Sequence, residues 1–238
     1  MKIINDISSF ENKGTVATVG FFDGVHKGHQ FLIEQVKETA KQKGIQSLIV
    51  TFDQHPRMVL HQDFQPRLLN TLEEKISLIE KTGVDYCCVL PFTKKLSNLS
   101  SYQFLKDILS EKLHVKNLII GHDHRFGHNR EDSFVQYQEY GNEIGIEIAQ
   151  MIPFVEDETV ISSSVIRRLL EKGQVEKANH FLNYQFSISG TVVHGQQIGR
   201  TIHYPTANVV VDDVHKEIPS IGIYAVKVEY NGTIYKGM

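Results

Sequence analysis

Two histidines stand three residues apart where an apolar run gives way to a helix-like pattern, in "VATVGFFDGVHKGHQFLI" over residues 16–33. Gly20, Gly24 and Gly28 punctuate this turn and let the backbone approach a ligand closely. A strand, a glycine-rich turn and a helix place the stretch at the carboxyl end of a parallel strand, where open α/β sheets bind ligands. His26 and His29 fall on one side of the first helical turn. The unpaired N–H groups and positive dipole end there favour an anion, and two imidazoles beside them can donate hydrogen bonds to phosphate oxygens. The same spacing also suits a locally capping His29 and a turn residue at His26. No G-x-x-x-x-G-K-[ST] occurs, so this is not a Walker A loop. A second helix start of this kind lies in "ISSSVIRRLL" (161–170), with capping hydroxyls at Ser162, Ser163 and Ser164 and Arg167 one turn later. Taken alone it reads as well as a plain capped helix with a surface arginine; the first anion-type site in the same chain favours the anion reading.

These residues need a frame. "TVATVG" (15–20), "SLIVTF" (47–52), "VDYCCVL" (84–90) and "NLIIG" (117–121) are short apolar runs without period-two alternation, as buried parallel strands are, and "GIEIAQM" (145–151) makes a fifth. Between them, residues 28–43 put Leu32, Val36 and Ala40 on one helical face. Residues 71–83 offer Thr71 as N-cap, Glu74 at the capping-box position and Gly83 as a stop, and residues 101–113 form a third amphipathic helix. Strand and helix in alternation predict a doubly wound α/β domain over residues 1–184. Residues 171–184, "EKGQVEKANHFLNY", read as two short connecting helices. From Gln185 the rhythm changes to strands alone: 185–195, 206–211 and 222–230, with an Asn-Gly hairpin signal at residues 231–232. That predicts a separate β module over 185–238, too short for a closed barrel of ordinary size and read here as a fragment.

Composition bounds the function. The chain has 238 residues, 41% hydrophobic and 22% charged, enough for a substantial core. A net charge of -3 argues against a nucleic-acid protein relying on a basic surface. The start has no secretory pattern, and no apolar run approaches the ~20 residues needed to span a bilayer. Cys87 and Cys88 are adjacent in an apolar strand, which reads as buried reduced thiols in a cytoplasmic protein. His122, His124 and His128 invite a transition-metal reading, but no cysteine or carboxylate cage completes a set.

"GFFDGVHKGH" resembles the H-x-G-H motif of nucleotidylyltransferases, and its flanks resemble the bacterial bifunctional riboflavin kinase/FAD synthetases. "TFDQHPRMVL" (51–60), "GHDHRFGHNR" (121–130) and "ISSSVIRRLL" are similar to that family's later blocks, and "GTVVHGQQIGRTIHYPTAN" (190–208) to the opening of its kinase module. The resemblance covers the whole chain, with its blocks in family order. It implies a Rossmann-like nucleotidylyltransferase domain that joins the AMP of ATP to FMN, giving FAD and pyrophosphate, followed by part of a riboflavin kinase barrel. His26, His29 and Arg167 would be catalytic. ATP would lie against Gly20, Phe22, Asp23, Gly24, Gly28, Ser162, Ser163 and Ser164. Flavin would meet Phe52, His55, Pro56, Arg57, Asp123 and Arg125. In the kinase module the implied residues are Gly195, Gly199, Arg200, Pro205, Thr206 and Asn208, with Thr206 and Asn208 contacting Mg²⁺-nucleotide. Mg²⁺ would arrive with ATP, since it prefers phosphate and water oxygens; riboflavin, FMN and ATP are the implied small-molecule partners, with neither nucleic acid nor membrane.

Departures from the family pattern bear chiefly on flavin: His124 for a usual phenylalanine, Glu131 for a glycine, Ser164 for threonine, Asn183 in the linker, and His203-Tyr204 for Gly-Phe. The kinase base of the family lies in sequence this chain does not contain, so kinase activity is not expected of these residues. Two rivals are distinguishable: another H-x-G-H adenylyltransferase, which would lack the P-T-A-N module, and a non-catalytic flavin or nucleotide sensor on the same scaffold.

Overall fold

The computed structural model describes residues 1–61, 63–128, 132–195 and 206–238. Its centre is a six-stranded, all-parallel sheet. The strands are β1 (Lys2–Ile4), β2 (Thr15–Val19), β3 (Gln46–Phe52), β4 (Tyr86–Leu90), β5 (Val115–Ile120) and β6 (Glu147–Gln150), in spatial order β1-β4-β3-β2-β5-β6. Every residue of β2 is buried, as the unbroken apolar run predicts for a strand covered on both faces. Alternate β2 side chains enter different cores: Val16 joins Ile49 and Val36, while Ala17 and Val19 join Leu48, Val50 and Leu118. Cys87 and Cys88 split the same way, so neighbouring thiols point to opposite faces and stay unlinked. Burial pushes them up to about 11 and about 12.

Helix α1 (Lys27–Lys43) buries Leu32, Ile33, Val36 and Ala40 and ends at Gly44, a left-handed cap. The short α2 (Pro56–Leu60) follows β3, and α3 (Leu72–Lys81) starts on the full Thr71–Glu74 capping box. After α4 (Lys94–Ser97), the expected helix over 101–113 departs from plan. Only α5 (Ser101–Gln103) is α-helical, and Phe104–Ser110 is π-helical. The wider turn sets residues five apart over one another, which brings Phe104 and Leu109 into the same core. Helix α6 (Phe134–Ile144) and strand β1 lack a periodic signal long enough to be expected from sequence. Hairpin β7 (Val155–Glu156) and β8 (Thr159–Val160) leads into α7 (Ser163–Glu171) and α8 (Val175–Leu182). The two short helices expected over 171–184 are thus one, because Gly173 turns the chain before α8 begins and Asn183 caps it in the left-handed region.

Beyond it lie two separate two-stranded antiparallel sheets: β9 (Gly190–Val193) with β10 (Asn208–Val211), and β11 (Val226–Tyr230) with β12 (Thr233–Gly237). The Asn-Gly turn forms as its signal predicts, with Asn231 and Gly232 both at positive φ between Tyr230 and Thr233. These pairs are consistent with part of a kinase-type barrel. Val192, Val209, Val228 and Ile234 are exposed, so among the described residues these strands gather no core of their own. The intervening residues 213–220 do pack on the sheet domain, through a parallel bridge between Leu68 and Lys216.

Candidate active site

Strand β2 neighbours β3 on one side and β5 on the other, and the chain leaves it in both directions. Its carboxyl end is therefore the topological switch point of the sheet, the crevice where such folds bind ligands. The loop leaving it is strained. Phe22, Gly24 and Val25 all have positive φ (56, 85 and 36 degrees), unfavourable for phenylalanine and more so for β-branched valine. Packing over-determines the loop: Phe22 and Val25 are buried, and the Val25 and Leu182 carbonyls both accept from Gln30 Nε2. The Tyr184 hydroxyl donates to the Gly24 carbonyl at 2.7 Å.

That loop ends on His26, which caps α1. Its Nδ1 accepts from the His29 N–H at 3.4 Å, so the capping role falls on His26 rather than His29. An accepting Nδ1 puts the proton on Nε2, leaving a donor on the far side of the ring. The two imidazoles stack with centroids 3.7 Å apart, and His29 stands edge-on to Phe22 at 5.1 Å. Gly28 permits this closeness, since a Cβ there would lie 3.2 Å from His26 Nδ1. The His29 Nδ1 is buried and has no hydrogen-bond partner.

The second helix start meets the first. Ser162 caps α7 by accepting from Val165 N–H, and the Ser163 hydroxyl donates to the Asp23 carbonyl at 2.8 Å. Ser164 is exposed. From the same helix, Arg167 Nη2 pairs with Asp23 Oδ2 at 2.8 Å and its Nε donates to the Arg67 carbonyl at 2.6 Å. The other oxygen of Asp23 accepts from the Leu69 and Asn70 amides. Asp23 is buried, and desolvation raises its pKa against the pull of Arg167. Its side chain therefore ties the loop, α7 and residues 67–70 together.

The neighbourhood is cationic. Burial, then the Arg167 charge, lowers His26 to about 4, and burial followed by His26 and Lys75 drives His29 well below its usual value. His55 falls to about 4 through desolvation and then Arg57, Arg167 and Lys75. Three histidines are thus held neutral chiefly by burial and then by neighbouring positive charge, with Asp123 pulling His26 the other way.

The flavin candidates fall in two groups, Phe52 to Arg57 at the end of β3 and Asp123 and Arg125 after β5, on opposite sides of β2. Phe52 is buried with its ring edge-on to Phe92, facing the core. His55 caps α2 by accepting from the Arg57 N–H, with Pro56 at the first helical position. The Arg57 guanidinium lies 5.6 Å from the Phe64 ring, and His55 packs on both Phe21 and Phe64. Asp123 is exposed, and Arg125 lines a cavity of about 250 Å³ with His124, Ser133, Phe134 and Tyr137. In the β module, Thr206 is exposed and the Asn208 amide lies so close to Gly195 that a Cβ there would sit 1.9 Å from it. Gly199, Arg200, Glu131, His203, Tyr204 and Pro205 lie outside the described residues. No group of three His, Cys, Asp or Glu able to hold a metal occurs among the described residues.

Several site residues escaped sequence reasoning. Lys75 is buried on the core face of α3, donating to the Phe21 and Phe52 carbonyls at the ends of β2 and β3. Its ammonium also lies 4.1 Å from the Phe21 ring, and desolvation lowers it to about 8. The available signal was a lysine four residues before Ile79 on the buried face of an amphipathic helix. Gln30, Arg67, Phe21 and Tyr184 carried no such mark.

Known proteins match this frame. A family model for FAD synthetase covers residues 8–165, and one for riboflavin kinase covers 182–238. A bifunctional riboflavin kinase/FMN adenylyltransferase of Listeria monocytogenes is 40% identical over 225 residues, 94% of this chain and 70% of that protein. The chain belongs to the bifunctional riboflavin kinase/FMN adenylyltransferase family. The protein of that name from Escherichia coli K12 is 36% identical over 94% of this chain and 71% of its own length. Both parts of this family member thus match enzymes of flavin cofactor biosynthesis. A crystal structure described as a macrolide-efflux protein from Streptococcus pneumoniae has the same fold, with a TM-score of 0.85 at 27% identity over 98% of this chain and 76% of that one. The efflux description belongs to that protein; among the described residues here, no helix is long and apolar enough to cross a membrane.

Proposed function

We propose that this chain is an FMN adenylyltransferase, with residues 1–184 as the transferase module and 185–238 as riboflavin kinase sequence, acting in the cytoplasm. The FMN phosphate, already ionised near neutral pH, attacks the α-phosphorus of ATP. The bond to the bridging oxygen breaks, and pyrophosphate leaves with its electron pair. No general base is needed, so the work is positioning and charge neutralisation. His26 Nε2–H and the His29 ring donate to triphosphate oxygens above the α1 N-terminus, and Arg167 offsets charge from α7. Gly20, Phe22, Asp23, Gly24, Gly28 and the α7 serines shape the loop around the nucleotide. An arriving polyphosphate raises the depressed imidazole pKa values, so binding and partial protonation reinforce one another. His55, Pro56, Arg57, Asp123 and Arg125 border the flavin side, while the Phe52 ring expected there is turned into the core. Mg²⁺ would enter with ATP, whose phosphate oxygens it prefers, since among the described residues no group of His, Cys, Asp or Glu forms a metal cage.

The observation that carries this reading is the stacked, neutral His26–His29 pair at a helix start, with Arg167 acting on His26 and Lys75 on His29. Incubation with FMN, ATP and Mg²⁺ followed by chromatography should give FAD and pyrophosphate in equal amounts. Pantetheine phosphate or nicotinamide mononucleotide in place of FMN should give nothing. His29→Ala should abolish FAD formation while leaving the far-UV spectrum unchanged. A product only with another acceptor, or no product at all, would reject the reading in favour of a different adenylyltransferase or a sensor. Riboflavin in place of FMN should yield no FMN, because among the described residues β9–β10 and β11–β12 form two separate two-stranded sheets with exposed side chains.

A further inference from the structure

Residues 67–70 run between the adenylyl-transfer loop and the β module, and their backbone groups face both ways. On the site side, the Arg67 carbonyl accepts from Arg167, and the Leu69 and Asn70 amides hold Asp23. On the other side, the Leu68 N–H donates to the His215 carbonyl at 2.7 Å, and its carbonyl accepts from the Glu217 N–H at 2.7 Å. The Leu69 carbonyl accepts from Lys216 Nζ at 2.8 Å. Lys216 is buried, paired with Glu74 and 4.8 Å from the Phe186 ring; Glu217 is buried, and Arg67 bridges it to Glu171 of α7. Buried charges are retained only where partners hold them tightly, and removing one partner leaves the other uncompensated. These contacts belong to the second module, yet they fix the four residues that fix Asp23 and Arg167.

We propose that Lys216 and Glu217 are positioning residues for adenylyl transfer, clamping residues 67–70 so that Asp23 and Arg167 stand in register with His26 and His29. The kinase-module segment is then part of the wall of the transferase site, and its state is felt at the α-phosphate. This rests on the adenylyltransferase reading.

The test compares the full chain with Lys216→Met, Glu217→Gln and the surface control Lys37→Met, whose partner Glu34 is exposed. Hydrogen–deuterium exchange should speed up over residues 22–26 and 67–70 in the two buried-site variants and remain unchanged in the control. The kcat for FAD formation should fall about tenfold or more, since small misplacements far from the reacting atoms act on the chemical step, while the KM for FMN stays within about twofold. Lys216→Arg, which keeps the charge and donors, should recover part of the loss. Glu217→Gln keeps shape and one acceptor, so it serves if Lys216→Met does not fold. Unchanged exchange over 22–26, or unchanged kcat in a folded variant, overturns the proposal. If the parent chain forms no FAD, the adenylyltransferase reading fails on its own, and the exchange measurement still decides whether the clamp reaches Asp23.

Discussion

His26 holds three positions at once: cap of α1, stacking partner of His29, and neighbour of a cationic cluster. Each requires a neutral ring, and burial enforces it. The consequence for stability follows from proton linkage. With a folded pKa of about 4 against an ordinary 6.5, the unfolded chain binds more protons between those values, so stability rises with pH across that window. The contribution is complete above about pH 6.5 and is lost as pH falls toward 4. His55 acts in the same direction, and buried Asp23, whose pKa is raised, opposes both. His29 is likewise depressed, partly by His26, so His26→Gln removes the His26 contribution and weakens that of His29. In urea titrations, the stability advantage of the parent chain over His26→Gln should therefore grow by up to about 3 kcal/mol from the bottom to the top of the window. A pH-independent difference would contradict the burial account. The motif spacing marked both histidines in the sequence, but not which of them caps: that depends on Val25 and Gly24 turning the chain into the left-handed region, which brings Nδ1 of residue 26 over the helix start.

Among the elements, α7 separates two serine roles that its sequence presents as equivalent. Ser162 accepts from the helix backbone, so Ser162→Ala should lower stability by about 1 kcal/mol, as lost caps do, with activity changed only in proportion to folded protein. Ser163 donates to the Asp23 carbonyl and touches no helix amide. Ser163→Ala should leave stability nearly unchanged and reduce kcat, because the loop carrying His26 loses a tie to α7. Melting curves and initial rates on both variants check this, and the reverse pattern would refute the assignment. The five apolar runs were legible as strands because both faces of a parallel sheet are dry, and the Thr71–Glu74 box and the Asn231-Gly232 turn were legible because their chemistry is local. The π-helical stretch after Gln103, the helix over 134–144 and the three-residue β1 were not. Each is decided by what it packs against: Phe104 and Leu109 share a core that ordinary α-helical spacing would divide.

Across the whole molecule, the β module divides its loyalties. Its strands are exposed, while residues 215–217 are built into the sheet domain beside Asp23 and Arg167. The sequence predicts a separate, partial β module over 185–238; the contacts at Leu68, Leu69 and Arg67 show that its residues 215–217 also pack on the sheet domain. That relation was invisible in the sequence because it rests on a lysine and a glutamate with no periodic or motif context, paired across about 150 residues of chain. The proposed chemistry rests on the same geometry, in which Ser163 and Arg167 of one helix start are tied to Asp23 of the loop that begins the other. The most direct measurement supplies FMN and Mg²⁺ with ATP labelled either at the α-phosphorus or at the γ-phosphorus. The α-label should appear in FAD and the γ-label only in pyrophosphate; a γ-label in the flavin product, or an α-label that stays with free nucleotide while FMN is consumed, would contradict attack at the α-phosphate.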